Sequence, residues 1–325
     1  MNSISYRDKP LISVIMVTRN RAHLLPRAIK SVLNQTYPHF ELIIVDGGST
    51  DNTREVIGSF KDSRIVYYRQ TQDKGLHASR NIGLNLARGD YIAFLDDDDE
   101  LVPGALETAI DTFSKLKPLK VEILWFDRLD VERNKLSGFG LKEEGFVAYE
   151  KYLCWEIRGD YWLVFSKKVF EGVRFPEDLW GLESITLLKL HQKHKAYYIP
   201  KVLYRNYREH GPRLCNPSFE DIVKLAPRYM LTLERFLCTY EKDLLRLCPQ
   251  AYWQSSGILG FYQVLSGKKL RGLRNIIRAL VKAPSSLRYA KKYLIALAAL
   301  PFTPRQIITL YKSYLKLKKK CRKNP

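Results

Sequence analysis

Three absences narrow the field before any motif is considered. The five cysteines, Cys154, Cys215, Cys238, Cys248 and Cys321, are odd in number and show no CxxC or zinc spacing. That argues against a secreted disulfide framework, and reduced thiols in a cytosolic compartment are expected. No apolar run approaches the roughly 20 residues needed to span a bilayer; the longest is Tyr293 to Leu300. Met1 to Pro10 is polar and lacks a signal-peptide core. The third absence is of one sign of charge. From Ala251 to Pro325 there are 17 Lys and Arg and no Asp or Glu, whereas residues 1–250 carry 37 basic against 34 acidic side chains. The net charge of +20 therefore belongs to one C-terminal segment, and an anionic partner should be sought there.

What is present is organised around Tyr91 to Glu100, where an apolar run of strand type passes without a turn into Asp96-Asp97-Asp98-Asp99. Carboxylates so close together repel, so the strand tip needs a cation or a run of donors. An oxygen-rich cluster of this kind suits Mg²⁺ or Mn²⁺ whose remaining ligands are water and phosphate. Three further strands are expected, Leu11 to Val17, Phe40 to Val45 and Ile65 to Tyr68, with helices over Leu24 to Leu33, after Asp51, and over Gly75 to Arg88. Their alternation over about 90 residues implies right-handed crossovers and a mostly parallel sheet. Thr18, Asp46 and Asp96 would then lie along its carboxyl edge, where open α/β sheets bind ligands. Gly47 and Gly48 permit positive φ and close backbone approach beside Asp46.

These segments resemble the successive signatures of family 2 glycosyltransferases with the GT-A fold: Ile12 to Met16 with Thr18 and Asn20, Val45 to Asp51, Arg80-Asn81-Ile82-Gly83, and Gly89 to Asp99. The resemblance implies a Rossmann-like α/β domain, an inverting transfer of sugar from a nucleoside-diphosphate sugar, and a divalent metal. On it, Asp96-Asp97-Asp98 falls on the DXD motif, with Asp98 as the metal carboxylate and Asp96 reaching the ribose and the metal shell. Asp46, Thr18, Asn20 and Gly48 line the base pocket, while Lys74 and Arg80 fall where nucleotide contacts occur. A UDP-sugar is the expected donor, although Asp46-Gly47 stands where many members have two aspartates, which leaves the base open.

Residues 10–117 are read as the nucleotide-sugar half and 118–214 as the acceptor half of one domain, 1–214. Strands are expected at Val121 to Phe126 and Tyr161 to Phe165. Arg174 to Ser184 resembles the family segment ending in Glu-Asp, whose Asp serves as general base. Here that position is Ser184, which cannot take up a proton at neutral pH. Glu183 becomes the leading base, with Asp178 or Glu177 as alternatives, or Glu183 simply caps the following helix. Tyr207-Arg208-Glu209-His210 resembles the segment whose His completes the metal shell. Ser184 also leaves open a non-catalytic nucleotide-sugar-binding scaffold of a glycan-synthesis complex. A sugar nucleotidyltransferase is a third reading, and the glycine- and arginine-rich loop it needs is missing.

Residues 215–325 read as a basic helical region, with helices over Ser218 to Leu225 and Arg228 to Leu247. Further on, Leu270, Leu273, Ile277, Leu280 and Val281 form one stripe and Arg271, Arg274, Arg278 and Lys282 the opposite one; Thr303-Pro304 opens a last helix. Residues 251–325 suit an anionic membrane surface, with packing on the catalytic domain as the alternative. A nucleic-acid partner would explain the tail alone, so none is expected. The combined expectation is a protein peripheral to the inner face of the cell membrane, building surface polysaccharide or lipopolysaccharide on a glycan or lipid-linked acceptor.

Overall fold

The computed structural model describes residues 9–179, 183–208 and 218–323, with side chains to residue 313. The chain divides into two compact units, one running to Asp178 and resuming from Glu183, the other comprising the helices from residue 218 onward.

In the first unit the strands are β1 (Ile12–Thr18), β2 (Phe40–Asp46), β3 (Ile65–Arg69), β4 (Tyr91–Asp96), β5 (Glu100–Leu101) and β6 (Val121–Asp130). The short β7 (Lys135–Leu136), β8 (Gly138–Phe139), β9 (Gly145–Phe146) and β10 (Arg158–Gly159) lead to β11 (Tyr161–Ser166) and β12 (Lys195–Asn206). The main sheet runs β3-β2-β1-β4-β11-β6-β12-β5. Its first four strands are mutually parallel, β11 is antiparallel to both neighbours, and β12 is parallel to β6. The α/β reading with helices on both faces holds, and a helical region follows it in the chain.

Period-two alternation sorts each strand between two cores. Ile12, Val14, Met16, Leu42 and Ile44 pack on one face with Leu25, Ala28, Ile29 and Val32 of α1 (Leu25–Leu33) and with α4 (Ala105–Leu116). Ile15, Ile43 and Val45 pack on the other with Leu84 of α3 (Leu76–Leu86), and with Phe165 and Phe170; α2 (Thr53–Ser59) and α5 (Tyr149–Leu153) follow β2 and β9 in the chain. Gly83 lets α3 lie flat on the sheet, since a Cβ there would sit 2.4 Å from Ile15 Cγ2.

The far end of β1 and β4 is tied by a tight turn. A Cβ on Gly89 would meet Ser13 N at 2.7 Å. Gly89 N donates to Ser13 Oγ (2.9 Å), and Asp90 N to Leu11 O (2.8 Å). Leu11 N donates back to Asp90 Oδ2 (3.0 Å). The resulting register sets Thr18 opposite Asp46 and Val17 opposite Asp96, so the three strand ends named from sequence are neighbours at the carboxyl edge.

The helical unit begins with α7 (Phe219–Leu247), capped by a reciprocal pair between Ser218 and Asp221. Two helices were expected here; one runs through Pro227. The amide hydrogen bond lost at the proline is offset by burial of Val223, Ala226 and Met230 around it. Helices α8 (Pro249–Leu265) and α9 (Lys269–Lys282) cross at glycines, a Gly272 Cβ meeting Gly260 O at 2.5 Å. After a 3-10 turn at Pro284–Tyr289 come α10 (Ala290–Ala299) and α11 (Pro304–Lys323). Thr303 and Gln306 cap α11, the Thr303 hydroxyl donating to Gln306 Oε1 (3.0 Å).

No single described helix is long and apolar enough to cross a membrane. Cys238 is a free, exposed thiol. The expectation of reduced thiols does not extend to Cys154 and Cys248, which are disulfide-bonded.

Candidate functional site

The aspartate-tipped strand end is the centre of the site, and its charge is compensated by arginines rather than by solvent. Asp96 closes β4, and Asp97, Asp98 and Asp99 turn the chain into β5. Arg21, in the loop after β1, bridges Asp97 Oδ1 (2.7 Å) and Asp98 Oδ2 (3.0 Å). Arg27 donates to the Asp98 carbonyl and stacks 3.6 Å over the Tyr207 ring. On the other side Arg128, from β6, bridges Asp96 Oδ2 (3.2 Å) and Asp99 Oδ2 (2.9 Å) while lying 3.8 Å over Tyr204. The Tyr204 hydroxyl and the Tyr207 amide also donate to Asp99, at 2.8 and 2.9 Å.

Three of these carboxylates, Asp96, Asp97 and Asp99, consequently differ. Burial raises Asp97 to about 6 against the opposing pull of Arg21. Burial and the adjacent Asp96 charge raise Asp99 to about 7, opposed by Arg128. For Asp96 burial acts upward too, but Arg128 and Arg80 outweigh it and hold the group below the usual carboxylate range. The Asp96 side chain remains 44% exposed, against 5% for Asp97, 15% for Asp98 and 6% for Asp99.

Arg80 joins this cluster to the acceptor half. It is only 8% exposed, lies against the Phe94 and Phe175 rings, and sits between Asp96 Oδ1 (3.7 Å) and Glu183 Oε1, with which it makes a close ion pair. Its neighbour Asn81 pins the segment from Phe175 to Glu177, donating to Phe175 O (2.8 Å) and Glu177 Oε1 (2.9 Å) and accepting from Phe175 N (2.9 Å). Glu177 is thereby held on α3, and Asp178 is exposed. Glu183 stands at the N-terminus of α6 (Ser184–His191) without a side-chain capping bond; its carboxylate turns to Arg80 instead. The Ser184 hydroxyl is buried with no hydrogen-bond partner.

The turn after β2 forms the other wall. Asp46 is fully buried, accepting from Ser49 N (2.8 Å), Ser49 Oγ (2.6 Å) and Tyr67 OH (2.8 Å). Its carboxylate thus holds the turn in which Gly48 adopts φ +80°. Asn20, itself at φ 53°, laces this turn to β1: its amide donates to Ser49 Oγ (2.8 Å) and its Oδ1 accepts from Thr50 N (2.7 Å). The Thr18 hydroxyl is buried, makes no well-formed hydrogen bond, and lies near enough to Asp97 to favour its charged form. Lys74 is exposed in the loop before α3, beside an Arg19–Asp73 ion pair (2.5 Å).

Thr18, Asn20, Asp46, Gly48, Arg80, Asp96, Asp97, Asp98 and Glu183 therefore belong to one edge of one sheet and its flanking turns. His210 lies outside the described residues. Sequence reading missed Arg21, Arg27, Arg128, Tyr204 and Tyr207. The requirement for donors at the aspartates was itself the signal, but nothing local to Arg128 says that β6 carries it to the cluster.

Among the described residues no three His, Cys, Asp or Glu side chains converge as a metal cage. Magnesium-type sites need only one or two carboxylates when water and phosphate complete the shell. Asp98, with one oxygen on Arg21, and the half-open Asp96 fit that description.

The family described as Glycosyl transferase family 2 matches residues 13–161. A Campylobacter jejuni protein named GalNAc(5)-diNAcBac-PP-undecaprenol beta-1,3-glucosyltransferase is 35% identical over 208 residues, 62% of this chain and 66% of that one. An Escherichia coli protein named UDP-Glc:alpha-D-GlcNAc-diphosphoundecaprenol beta-1,3-glucosyltransferase WfgD is 42% identical over 108 residues, 33% of this chain and 43% of that one. The chain thus spans just under two thirds of the first relative's length and less than half of the second's. Among solved structures, S. aureus TarS 1-349 in complex with UDP-GlcNAc superposes with a TM-score of 0.59 at 16% identity, over 87% of this chain and 92% of that one, a likeness of fold.

Proposed function

The chain belongs to glycosyl transferase family 2 through residues 13–161, and from that membership we propose that it is an inverting glycosyltransferase. It moves a sugar from a nucleoside-diphosphate sugar, a UDP-sugar first among the candidates, to a hydroxyl of a lipid-linked saccharide during surface polysaccharide synthesis. The observation that carries this reading is Arg80, whose guanidinium reaches the nucleotide-side carboxylate Asp96 and the acceptor-side carboxylate Glu183 at once. Two relatives named for undecaprenol-diphosphate acceptors support the lipid linkage.

In this reading Thr18, Asn20 and the Gly48 turn receive the base and ribose, and the buried Asp46 keeps that turn in shape. Arg21 and Arg128 hold the aspartates in place and present positive charge towards the diphosphate. Asp98 and Asp96 would bind a divalent cation, which when present neutralises charge developing on the departing diphosphate. Glu183 accepts the proton of the acceptor hydroxyl. The acceptor oxygen then forms its bond to the anomeric carbon from the face opposite the breaking bond, inverting the configuration and releasing nucleoside diphosphate. Arg80 fixes where the Glu183 carboxylate stands; Asp178 is the alternative base. The two relatives named for undecaprenol-diphosphate acceptors support a site of action at the membrane's inner face.

The test is nucleoside diphosphate release from UDP-glucose and UDP-N-acetylglucosamine with Mn²⁺, for wild type, Glu183→Gln and Asp98→Asn. Loss of a general base predicts a fall of about 10²–10⁴-fold for Glu183→Gln. Undiminished release by that variant would remove Glu183 from the role, and equal release by Asp98→Asn would remove the cation assignment. Nucleotide-sugar binding without turnover in wild type would favour the scaffold reading that Ser184 leaves open.

A further inference from the structure

Only part of the apolar stripe of α9 faces the protein: Leu280 packs on the helical core, whereas Leu270, Ile277 and Val281 are exposed. At about 100° per residue, Gly272, Ile276 and Ala279 fall on one side of the helix, and these are its buried residues. They dock on α8 through the glycine crossing, where Ile276 packs over Gly260 and neither Gly260 nor Gly272 has room for a Cβ. Leu270, Ile277 and Val281 fall within an arc of roughly 40° on the other side and are 86%, 51% and 70% exposed. Arg274, Arg278 and Lys282 occupy the adjoining strip of about 80° and make no ion pair among the described residues, while Arg271 reaches only Glu234 at 3.5 Å. Leu287 and Leu294, later in the same unit, are 64% and 65% exposed.

Exposed leucines are common singly, but three large apolar residues sharing one exposed strip, on a helix that buries Gly272, Ile276 and Ala279 on the other side, call for an occupant of that strip. An apolar strip bordered by unpaired cations, on a segment of 17 basic and no acidic residues, fits one kind of occupant. We propose that the outward face of α9 is a bilayer-docking surface: Leu270, Ile277 and Val281 enter the headgroup–acyl boundary of an anionic phospholipid membrane, and Arg274, Arg278 and Lys282 pair with lipid phosphates. The helix lies in the plane of the interface and does not cross it. This deepens the transferase reading, on which it rests for its purpose, by naming the surface that brings the enzyme to a lipid-borne acceptor. Its physical content is independent of catalysis.

The experiment uses the full chain, sedimented with vesicles of 30:70 phosphatidylglycerol to phosphatidylcholine and with vesicles of phosphatidylcholine alone. Wild type is expected to bind the anionic vesicles at least tenfold more tightly than the neutral ones. L270E/I277E/V281E should lose at least tenfold of that affinity with an unchanged melting temperature, since none of the three side chains is buried. R274Q/R278Q/K282Q should lose the preference for anionic lipid. Wild type remaining in the supernatant, or the apolar triple variant sedimenting as wild type does, would overturn the proposal. So would concentration-dependent dimerisation that the triple variant abolishes without vesicle binding, because the face would then belong to a second copy. UDP release from UDP-glucose, measured without vesicles on the same variants, separates the two readings. It should be unchanged by the α9 substitutions, and its absence in wild type would count against the transferase while leaving vesicle binding intact.

Discussion

Arg128 sits between Asp96 and Asp99 with its guanidinium flat on Tyr204, whereas Arg274 and Arg278 of the helical unit are exposed and make no ion pair among the described residues. The same side chain is used in two opposite ways. In the α/β unit every arginine near the aspartates is half-buried or buried and committed to named acceptors, so its charge shapes a site for a small polar ligand. In the helical unit Arg274 and Arg278 are surplus to folding, and their charge is available over an area. Removal of one charge should therefore be severe in the first unit and almost silent in the second.

The strongest test of that contrast is Arg128→Leu. It leaves Asp99, already raised to about 7 by burial and Asp96, without its counter-charge. Breaking a buried pair by deleting one partner costs about 3–5 kcal/mol, read as a lowered urea midpoint; a loss below about 1 kcal/mol would mean that the cluster is held by its tyrosines. A second test concerns a base that the α/β unit keeps neutral. His191 accepts from Trp125 Nε1 (3.2 Å), and burial, with the nearby His194 charge, lowers it to about 3. A depressed folded pKa supplies stability that is complete above the unfolded value, about 6.5, and is lost as pH falls towards 3. Wild type should thus lose about 2–4 kcal/mol between pH 7 and pH 3.5 that His191→Gln does not, measured by denaturant titration at each pH. Identical acid limbs would show that His191 is not the group responsible. At the small end, Arg274→Gln and Arg278→Gln should each change stability by under about 0.5 kcal/mol. A larger loss in thermal melts would show that these arginines support the fold after all.

The same contrast explains what could be read in advance. The four parallel strands were legible because β1, β2 and β4 are largely buried apolar runs bounded by polar turns and the more exposed β3 is β-branched and aromatic, and the strand ends were legible because a carboxylate cluster announces itself. Arg128 was not, since β6 was expected to stop at Phe126 and in fact continues to Asp130. Its polar second half looks like loop until its partners across the sheet are known. Asp46 was placed on the right edge, yet its carboxylate is spent inside its own turn, a distinction that depends on Tyr67 and Ser49 reaching it. In the helical unit the α9 stripe was visible but its orientation was not. Periodicity reports which residues share a side, and only packing volume decides which side is turned inward; here the side of Gly272, Ile276 and Ala279 prevailed over that of Leu270, Ile277 and Val281. Pro227 misled for a related reason, because a local breaking preference yielded to burial on both sides of it.

The turn at Gly89 has a consequence for chemistry at the opposite end of the sheet. Five residues of extended chain, about 17 Å, separate Tyr91 from Asp96, and the strand's phase along that distance is set where Gly89 is squeezed against Ser13. Were β4 to slip by a single position, Asp96 and Asp97 would exchange faces, and Arg128 and Arg21 would each confront the other's partner. The candidate site is, in this sense, calibrated from its rear: a glycine at the far end of the strand decides which carboxylate meets which arginine.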